Sequence, residues 1–488
     1  MGLTRRKFLS VMGVGAVGAV VFAGCSVPER KWVVQSPAKL PEDLVSGTDN
    51  WYATVLSETG EGVIVRVMEG RAKKIEGNPD YPVNRGKSSA RAQAALQALY
   101  HPDRIRWPLV RSSRQSPFDA TGWDQGLDTV ASRLKERQGS PDAALLITEP
   151  LRGHAGLIAE RFAQAYGARR LTLEPLEETA LRAATKQLFG QDAKPWFDIA
   201  RADYVISFGA DFLNGWDSPV RYGIAYGEFR QGAGRTRGHL VQVEPRFSLT
   251  AANADRWVPV KPGAEGALAL SIAYVIISEG LGNHAAADTL TGGRGAAALE
   301  PFRPEEAARV TGVEDETIRE MAREFAHAKA SVALGGGLAG ASTNGQWNLA
   351  AILSLNLLVN NVGKPGGVQF SAAPPIKDLP VAERVTPLKE WEAAAKRMQE
   401  GKVALVLAHG ADPVHGLPAY SGFADGLSRV PHMVSFSSFM DDTTAQADLV
   451  LPDHSPLEAW GDDVPNPGLG YPTLGVQQPV VQPLHDTL

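Results

Sequence analysis

The sequence has 488 residues, of which 44% are hydrophobic and 21% are charged, and its formal net charge is −5. This mixture is typical of globular proteins of one to three domains, and the small, evenly mixed charge excludes the basic surface typical of nucleic-acid-binding proteins. The single cysteine, Cys25, excludes an internal disulfide, a thiolate zinc site and a cysteine-ligated iron–sulfur cluster, because each needs several sulfur atoms.

The first 25 residues have the layout of an export signal. Residues 5–7 read RRK, and an uncharged run of 17 residues follows, from Phe8 to Gly24. The paired arginines favour the twin-arginine route, and the run is short for a membrane-spanning helix, which needs roughly 20 apolar residues. The ending VFAGC is similar to a lipobox, in which the cysteine is acylated. The sequence therefore predicts lipid attachment at Cys25 and a place on the periplasmic face of the cytoplasmic membrane; the alternative is a signal peptide that is removed with Cys25.

A linker and a small β-rich module are predicted next. Residues 26–50 are polar and proline-rich without a clear period, which is typical of a linker. Two apolar runs, VIVRV and AKKI, then flank the segment MEGR, whose glycine suits a tight turn. This pattern predicts a β-hairpin.

From about residue 120 onward, short apolar runs alternate with helical patterns. Six runs read as buried parallel strands: 143–148, 204–211, 239–245, 331–337, 403–413 and 432–438. Between them lie helical patterns such as ALRAATKQLFG, GALALSIAYVIISEG and WNLAAILSLNLLVNNVG. The alternation predicts an α/β fold of doubly wound, mostly parallel sheets, which bind ligands at the carboxyl ends of their strands. The turn GGGLAGASTNG matches no standard nucleotide-binding motif.

Several segments, in one consistent order, resemble the large subunit of the molybdopterin oxidoreductases, the dimethyl sulfoxide reductase superfamily. They include ADYVISFGADFL, VQVEPRFSLTAANADRWVPVKPGAEGALAL, LVLAHGADPVHGLP and TTAQADLVLPDHSPLEAWGD. The resemblance implies a small N-terminal module over residues 51–115 and α/β domains over residues 116–370 and 371–488. It also implies that the C-terminal β-barrel domain of the family is absent from this chain.

Two departures from the family pattern concern redox centres. Relatives carry four cluster-binding cysteines at places that fall here near Thr54, Ser57, Glu61 and Ser89, and none of these is a thiol. Relatives also supply a molybdenum ligand from a segment that reads LEPLEETALRAATKQLFGQ here, where Thr179 or Glu178 would be an unusual ligand. We therefore expect no cofactor and no metal in this chain. Molybdopterin guanine dinucleotide is expected only under the alternative of an active enzyme.

One branch of the family combines these departures with an export signal: the molybdopterin-like, iron–sulfur subunit of bacterial alternative complex III. The resemblance implies a non-catalytic subunit of a respiratory quinol:electron-acceptor complex. Its implied partners are a cluster-bearing ferredoxin-like chain, a multihaem cytochrome c and integral membrane quinol-binding subunits. Two alternatives stay open. One is an active exported reductase of the polysulfide or dimethyl sulfoxide type, and the other is a free-standing protein that binds an anion.

Other polar residues in the matched segments are interpreted as structural. Arg246 is expected to pair with nearby acidic groups in a network that holds a crossover, and His409 and His415 are not expected to bind a metal. Further residues given a structural role are Asp211, Glu244, Asp255, His432, His454 and Glu458.

Overall fold

Strands and helices alternate along most of the chain. This computed structural model describes residues 49–137, 140, 143–174, 179–231, 237–380, 385–466 and 468–488. The strands are β1 (Asp49–Leu56), β2 (Glu61–Met68), β3 (Arg71–Gly77), β4 (Leu109–Val110), β5 (Asp119–Ala120), β6 (Ala144–Thr148), β7 (Arg169–Thr172), β8 (Trp196–Phe197), β9 (Tyr204–Phe208), β10 (His239–Val243), β11 (Arg256–Val258), β12 (Ser331–Gly335), β13 (Val368–Gln369), β14 (Leu405–His409), β15 (His432–Phe436), β16 (Leu449–Val450), β17 (Gly461–Asp463) and β18 (Gly475–Gln477).

The α-helices lie between these strands and cover the sheets. They are α1 (Ala90–Leu99), α2 (Trp123–Glu136), α3 (Gly153–Tyr166), α4 (Thr179–Phe189), α5 (Pro219–Gln231), α6 (Leu249–Ala252), α7 (Glu265–Ser278), α8 (His284–Thr291), α9 (Pro304–Thr311), α10 (Asp315–His327), α11 (Gly345–Leu358), α12 (Leu388–Gln399), α13 (Pro413–Gly416) and α14 (Phe423–Leu427). Within the described ranges, none of the helices is both long and apolar enough to span a membrane.

The predicted N-terminal hairpin is confirmed. Strands β1, β2 and β3 form an antiparallel sheet in that order, and β2 turns into β3 through Glu69 and Gly70. Both turn residues have positive φ, 51° and 71°, as the tight two-residue hairpin turn requires. The valines of β2 that face inward pack with α1 and with Leu457, Val480 and Val481 from the end of the chain.

Two mainly parallel sheets form the centre of the molecule, which confirms the predicted fold class. One has seven strands in the order β5-β4-β16-β15-β14-β6-β7, with β4 and β5 antiparallel at one edge. The other has four parallel strands in the order β11-β10-β9-β12. All six predicted strands are present. Strands β6, β9 and β12 are buried along their whole length, as their unbroken apolar runs predict.

Strand pairing crosses the predicted domain boundary at residue 370. Strands β6 and β7 belong to the segment 116–370, yet β6 pairs directly with β14 in the same sheet as β15 and β16. The boundaries stay a prediction, but one hydrogen-bonded sheet joins both segments.

The larger hydrophobic core surrounds the four-stranded sheet. Helices α7 and α11 are buried on nearly all sides, and both pack into this core. The side chain of Asn356 in α11 bonds both backbone groups of Ala333 in β12, with its Oδ1 2.9 Å from the amide nitrogen and its Nδ2 2.7 Å from the carbonyl oxygen. A buried amide thus fixes the helix against the sheet.

Candidate functional site

The strand order of the seven-stranded sheet reverses between β6 and β14. From β6 the chain adds β7 on one side, and from β14 it adds β15 and then β16 on the other. In open α/β sheets the carboxyl ends of the strands at such a reversal form a crevice where ligands bind. Glu149 follows β6 and His409 ends β14, and their backbones are joined by a 3.2 Å hydrogen bond from the Glu149 amide to the His409 carbonyl oxygen. We call this edge the first crevice.

Three further charged side chains surround Glu149 and His409. Asp453 follows β16 and places its Oδ2 3.3 Å from Nε2 of His409. Glu58 comes from the turn between β1 and β2 and acts electrostatically on Glu149. Arg152 precedes α3; its Nε donates to Oδ1 of Asp463 at 2.7 Å, and its Nη2 donates to the Ser57 carbonyl oxygen at 2.7 Å. The N-terminal module is thereby attached to the first crevice.

The surroundings shift the pKa of both residues upward. Burial raises the pKa of Glu149 to about 7, with further upward contributions from Glu58 and Asp453 and opposing ones from His409 and Arg152. The hydrogen bond to Asp453 raises the pKa of His409, against the effect of burial, and the charge of Glu149 adds to the increase. A carboxyl and an imidazole whose pKa values depend on each other titrate as a pair.

A second crevice lies where the four-stranded sheet reverses, between β9 and β12. Gly209 follows β9 with φ +67°, and a Cβ there would lie 2.6 Å from the Ala339 amide nitrogen. Gly336 follows β12, and a Cβ there would lie 2.3 Å from Nε1 of Trp216. These two positions admit only glycine without displacement of their neighbours, because the loops after β9 and β12 pack directly on each other and on Trp216 at this edge.

Polar groups hold the loop beside the second crevice. Asp211 accepts hydrogen bonds from the amide of Thr250 at 3.1 Å, from its hydroxyl at 2.8 Å and from Nη2 of Arg246 at 3.1 Å. This arrangement agrees with the Arg–Asp network predicted from the sequence. The Arg246 side chain is 60% exposed, so its guanidinium keeps donors for an anion. Glu244 is fully buried and accepts from the Ser248 amide at 3.1 Å.

Both crevices contain buried polar atoms that have no hydrogen-bond partner among the described residues. In the first they are Nδ1 of His409 and Oδ1 of Asp453, and in the second they are Oε1 of Gln242 and Oε2 of Glu244. An unpaired buried polar atom costs about 1–3 kcal/mol. A large ligand rich in donors and acceptors would satisfy such atoms. Three of the four atoms are oxygens that accept hydrogen bonds, so they suit the N–H groups of a heterocycle, while the exposed guanidinium of Arg246 can donate to a phosphate. The polar groups at the two crevices therefore fit a heterocyclic, phosphate-bearing group such as a pterin dinucleotide.

The four cluster-equivalent positions do not fit an iron–sulfur cluster. Glu61 and Ser89 lie together, because the Ser89 amide donates to Oε2 of Glu61 at 2.8 Å, and burial raises the pKa of that carboxyl. Thr54 instead pairs with the backbone of Gln478, donating to its oxygen at 2.9 Å and accepting from its nitrogen at 3.0 Å. Ser57 contributes its carbonyl oxygen to Arg152. These oxygen groups are hard ligands, whereas the cluster is held by soft thiolates.

The remaining predicted residues make contacts of their own. Asp255 is paired with Arg230, whose Nη2 lies 2.9 Å from its Oδ1, and Glu458 forms a buried ion pair with Arg104. His415 is exposed, His432 is half-buried and His454 bonds Thr487. Thr179 begins α4, while Glu178 and Cys25 lie outside the described residues.

The sequence interpretation missed the polar members of the first crevice. Glu149, Arg152 and Asp453 were not singled out, and His409 was considered only as a metal ligand. The sequence did hold a signal for two of them. Glu149 comes directly after the apolar strand β6, and Asp453 comes three residues after β16, so both lie at the carboxyl ends of strands. The order of the strands in the sheet brings these ends together, and the apolar runs of the sequence do not specify that order.

Comparison with known proteins identifies relatives over the whole chain. The family described as "Molybdopterin oxidoreductase" matches residues 104–464. The chain is 31% identical to the menaquinone reductase, molybdopterin-binding-like subunit of Nitratidesulfovibrio vulgaris, over 100% of this chain and 70% of that protein. It is 24% identical to the arsenate respiratory reductase molybdopterin-containing subunit ArrA of Shewanella sp., over 100% of this chain and 65% of that protein.

A solved structure shares the fold. Acetylene hydratase from Pelobacter acetylenicus superimposes with a TM-score of 0.71 at 17% sequence identity, covering 90% of this chain and 65% of that one. The chain thus spans about two thirds of the length of the relatives that it matches.

These matches correct the expectation that no cofactor belongs to this chain. That expectation was wrong, because residues 104–464 match the molybdopterin oxidoreductase family and a relative aligned over the whole of this chain is named a molybdopterin-containing subunit. The error was to treat the missing cluster thiols and the unusual residues at the metal-ligand segment as evidence against the whole cofactor, although neither feature concerns the groups that would contact a pterin. Because residues 104–464 match this family and a relative of 31% identity aligns over the whole chain, the chain belongs to the molybdopterin oxidoreductase family.

Proposed function

We propose that this chain is a subunit of a membrane-associated respiratory complex that exchanges electrons with a quinone pool. The observation that carries the proposal is the match of 31% identity over the whole chain to the menaquinone reductase subunit. The partners that we propose are a cluster-bearing ferredoxin-like chain, a multihaem cytochrome c and integral membrane quinol-binding subunits, as in alternative complex III.

We further propose that a molybdopterin-type group binds across the two crevices. Glu149, His409 and Asp453 would contact it from the seven-stranded sheet, and Arg246 and Glu244 from the four-stranded sheet. Such a group, when bound, supplies two-electron redox chemistry. The tight packing of the loops at Gly209 and Gly336 would keep the shape of the second crevice, and the guanidinium of Arg246 would pair with the phosphates of the group.

The proposal predicts that the chain purifies as part of a complex. With an affinity tag on the full-length chain in its own host, haem-containing and integral membrane proteins should co-purify from detergent-solubilised membranes. Membranes from a deletion strain should lose quinol-dependent electron transfer, and the intact gene should restore it. A chain that purifies alone and leaves quinol oxidation unchanged when deleted would contradict the proposal. Pterin content, measured on the same material, tests the cofactor separately.

A second function, an exported molybdopterin-dependent reductase, is favoured by the full-length similarity to the arsenate respiratory reductase subunit. Thr179 begins α4, and the next residue, Ala180, adjoins Gly340 after β12, where a Cβ would lie 3.9 Å from that of Ala180. The segment that supplies the metal ligand in relatives thus lies at the second crevice. Reduction of an oxyanion by the isolated chain, with a dye as electron donor, would favour this function over the first.

Lipid attachment at Cys25 is a separate prediction of the membrane proposal. Labelled fatty acid should be incorporated into the wild-type chain, and Cys25→Ser should abolish incorporation, because Cys25 is the only cysteine in the sequence. The anchor would be stable, since two or three acyl chains each contribute about 0.8 kcal/mol per buried methylene. A mature wild-type protein whose N-terminus lies beyond residue 25 would contradict this prediction.

A further inference from the structure

The charged groups of the first crevice come from four separate parts of the chain. Glu149 and Arg152 lie between β6 and α3, His409 ends β14, Asp453 follows β16, and Glu58 lies in the hairpin turn of the N-terminal module. The N-terminal module is attached by Arg152 through Ser57 and Asp463, by the bonds between Thr54 and Gln478, and by the apolar contacts of β2. None of these contacts uses Glu149, His409 or Asp453. The arrangement therefore calls for a chemical explanation.

Asp453 holds the imidazole ring of His409 in one orientation. Its Nε2 lies 3.3 Å from Oδ2 of Asp453, so Asp453 orients the ring and stabilises its charged form. Its Nδ1 is buried without a partner among the described residues. The ring is nonetheless not sealed, because 37% of the side chain is exposed. Since Nδ1 is buried, exchange of a proton with water or with a bound group has to take place at Nε2, where Asp453 holds the ring.

Glu149 is packed closely against the turn that follows His409. Gly410 has φ +63°, and a Cβ there would lie 2.7 Å from Oε1 of Glu149, so only glycine admits the carboxyl at this distance. The carboxyl is thereby held beside the imidazole, between the like charges of Glu58 and Asp453 and the opposite charge of Arg152. The carboxylates of Glu58 and Asp453 destabilise the ionised form of Glu149, whereas the charges of His409 and Arg152 stabilise it.

We propose that Glu149 and His409 form a proton-exchange site at the first crevice, with Asp453 as the residue that positions the imidazole. In the step, a proton from solvent forms an O–H bond on the Glu149 carboxylate and later returns to solvent or to an acceptor in the crevice. No electrons move in this step. Proton exchange with a bound redox group rests on the proposed function. Proton exchange between Glu149 and solvent does not.

The test is an infrared pH titration of the carboxyl C=O absorption on the purified full-length protein. In the wild type, a carboxyl band should titrate with a pKa of about 7. Glu149→Gln should remove that band. His409→Gln should raise the pKa, because the imidazolium that favours the ionised carboxylate is lost. At pH 7 the protonated fraction of Glu149 should therefore be higher in His409→Gln than in the wild type.

His415→Gln is the matched control. His415 lies in the same loop and near an aspartate, with its Nδ1 3.5 Å from Oδ2 of Asp442, but its side chain is 80% exposed and outside the crevice. This variant should leave the band unchanged. A band that persists in Glu149→Gln, or that His409→Gln does not move, would overturn the proposal. Neither result depends on quinone-linked activity, so failure of the proton site and failure of the respiratory function are distinguishable.

A stability measurement covers the case in which a variant folds poorly. Because the pKa of Glu149 rises from 4.5 to about 7 on folding, the folded state holds the proton more tightly than the unfolded state. The free energy of unfolding of the wild type should therefore fall as pH rises through this range. Glu149→Gln should flatten this dependence, and an unchanged slope would contradict the proposal.

Discussion

Replacing Glu458 with glutamine is expected to lower the free energy of unfolding by about 3–5 kcal/mol, because it leaves the buried charge of Arg104 without its partner. Both side chains are almost completely inaccessible to solvent, at 1% for Arg104 and 0% for Glu458. Nη1 of Arg104 lies 3.0 Å from Oε1 of Glu458, and Nη2 contacts Oε2. The carboxylate also accepts from the amides of Ser455 at 2.9 Å and Leu484 at 2.8 Å.

The effect should be large because glutamine replaces one acceptor oxygen with a donor nitrogen. That nitrogen would face a guanidinium or a backbone amide, and neither can accept a hydrogen bond. The pair joins the segment after α1 to the segment before β17 and to the C-terminal residues, so its loss should loosen all three. Urea unfolding followed by fluorescence measures the change.

Two comparisons separate the buried pair from charge effects in general. Arg323→Ala removes an exposed pair with Glu279, whose two hydrogen bonds measure 2.9 and 2.8 Å, and it should change the unfolding free energy little. The double variant Arg104→Met, Glu458→Met should cost less than the sum of the two single variants, since it leaves no buried charge alone. Equal losses for the buried and exposed pairs would contradict this interpretation.

Replacing Gly209 with alanine should destabilise the chain and, under the proposed binding of a pterin at the second crevice, reduce the pterin that co-purifies. At φ +67°, alanine is strained by about 1–2 kcal/mol. Its Cβ would also lie 2.6 Å from the Ala339 nitrogen and 3.0 Å from the Gly336 oxygen, which are backbone atoms that cannot rotate away. Displacing the loop after β12 should cost about 1–3 kcal/mol more and should deform the second crevice.

Gly263→Ala provides the matched control for Gly209→Ala. Gly263 has φ +81°, but nothing lies within 4 Å of a Cβ at that position. The control variant should therefore show the backbone strain alone and keep the pterin content of the wild type. Unfolding free energy and pterin fluorescence after oxidation, measured on both variants, test the difference. Equal pterin content in the two variants would show that the crevice at Gly209 does not hold the cofactor.

Local sequence patterns predicted many of the elements but not their arrangement. The fully buried strands β6, β9 and β12 were predictable because parallel strands covered on both faces are apolar at every position. The turn was predictable from Gly70, because glycine accepts a positive φ, whereas the positive φ of Glu69 had no signal in the sequence. The polar roles of Asp211 and Arg246 were predicted from their place in the matched segments.

The sequence by itself determined the fold class, the family resemblance and the absence of cluster thiols, because each depends on residue types along a continuous segment. Only the tertiary structure decided that β6 lies beside β14, and thus that Glu149, His409 and Asp453 meet. An apolar run specifies that a strand is buried, but it does not specify which distant strand will be its neighbour. That choice depends on how whole faces of sheets and helices pack, and it placed the candidate site where residues far apart in the chain converge.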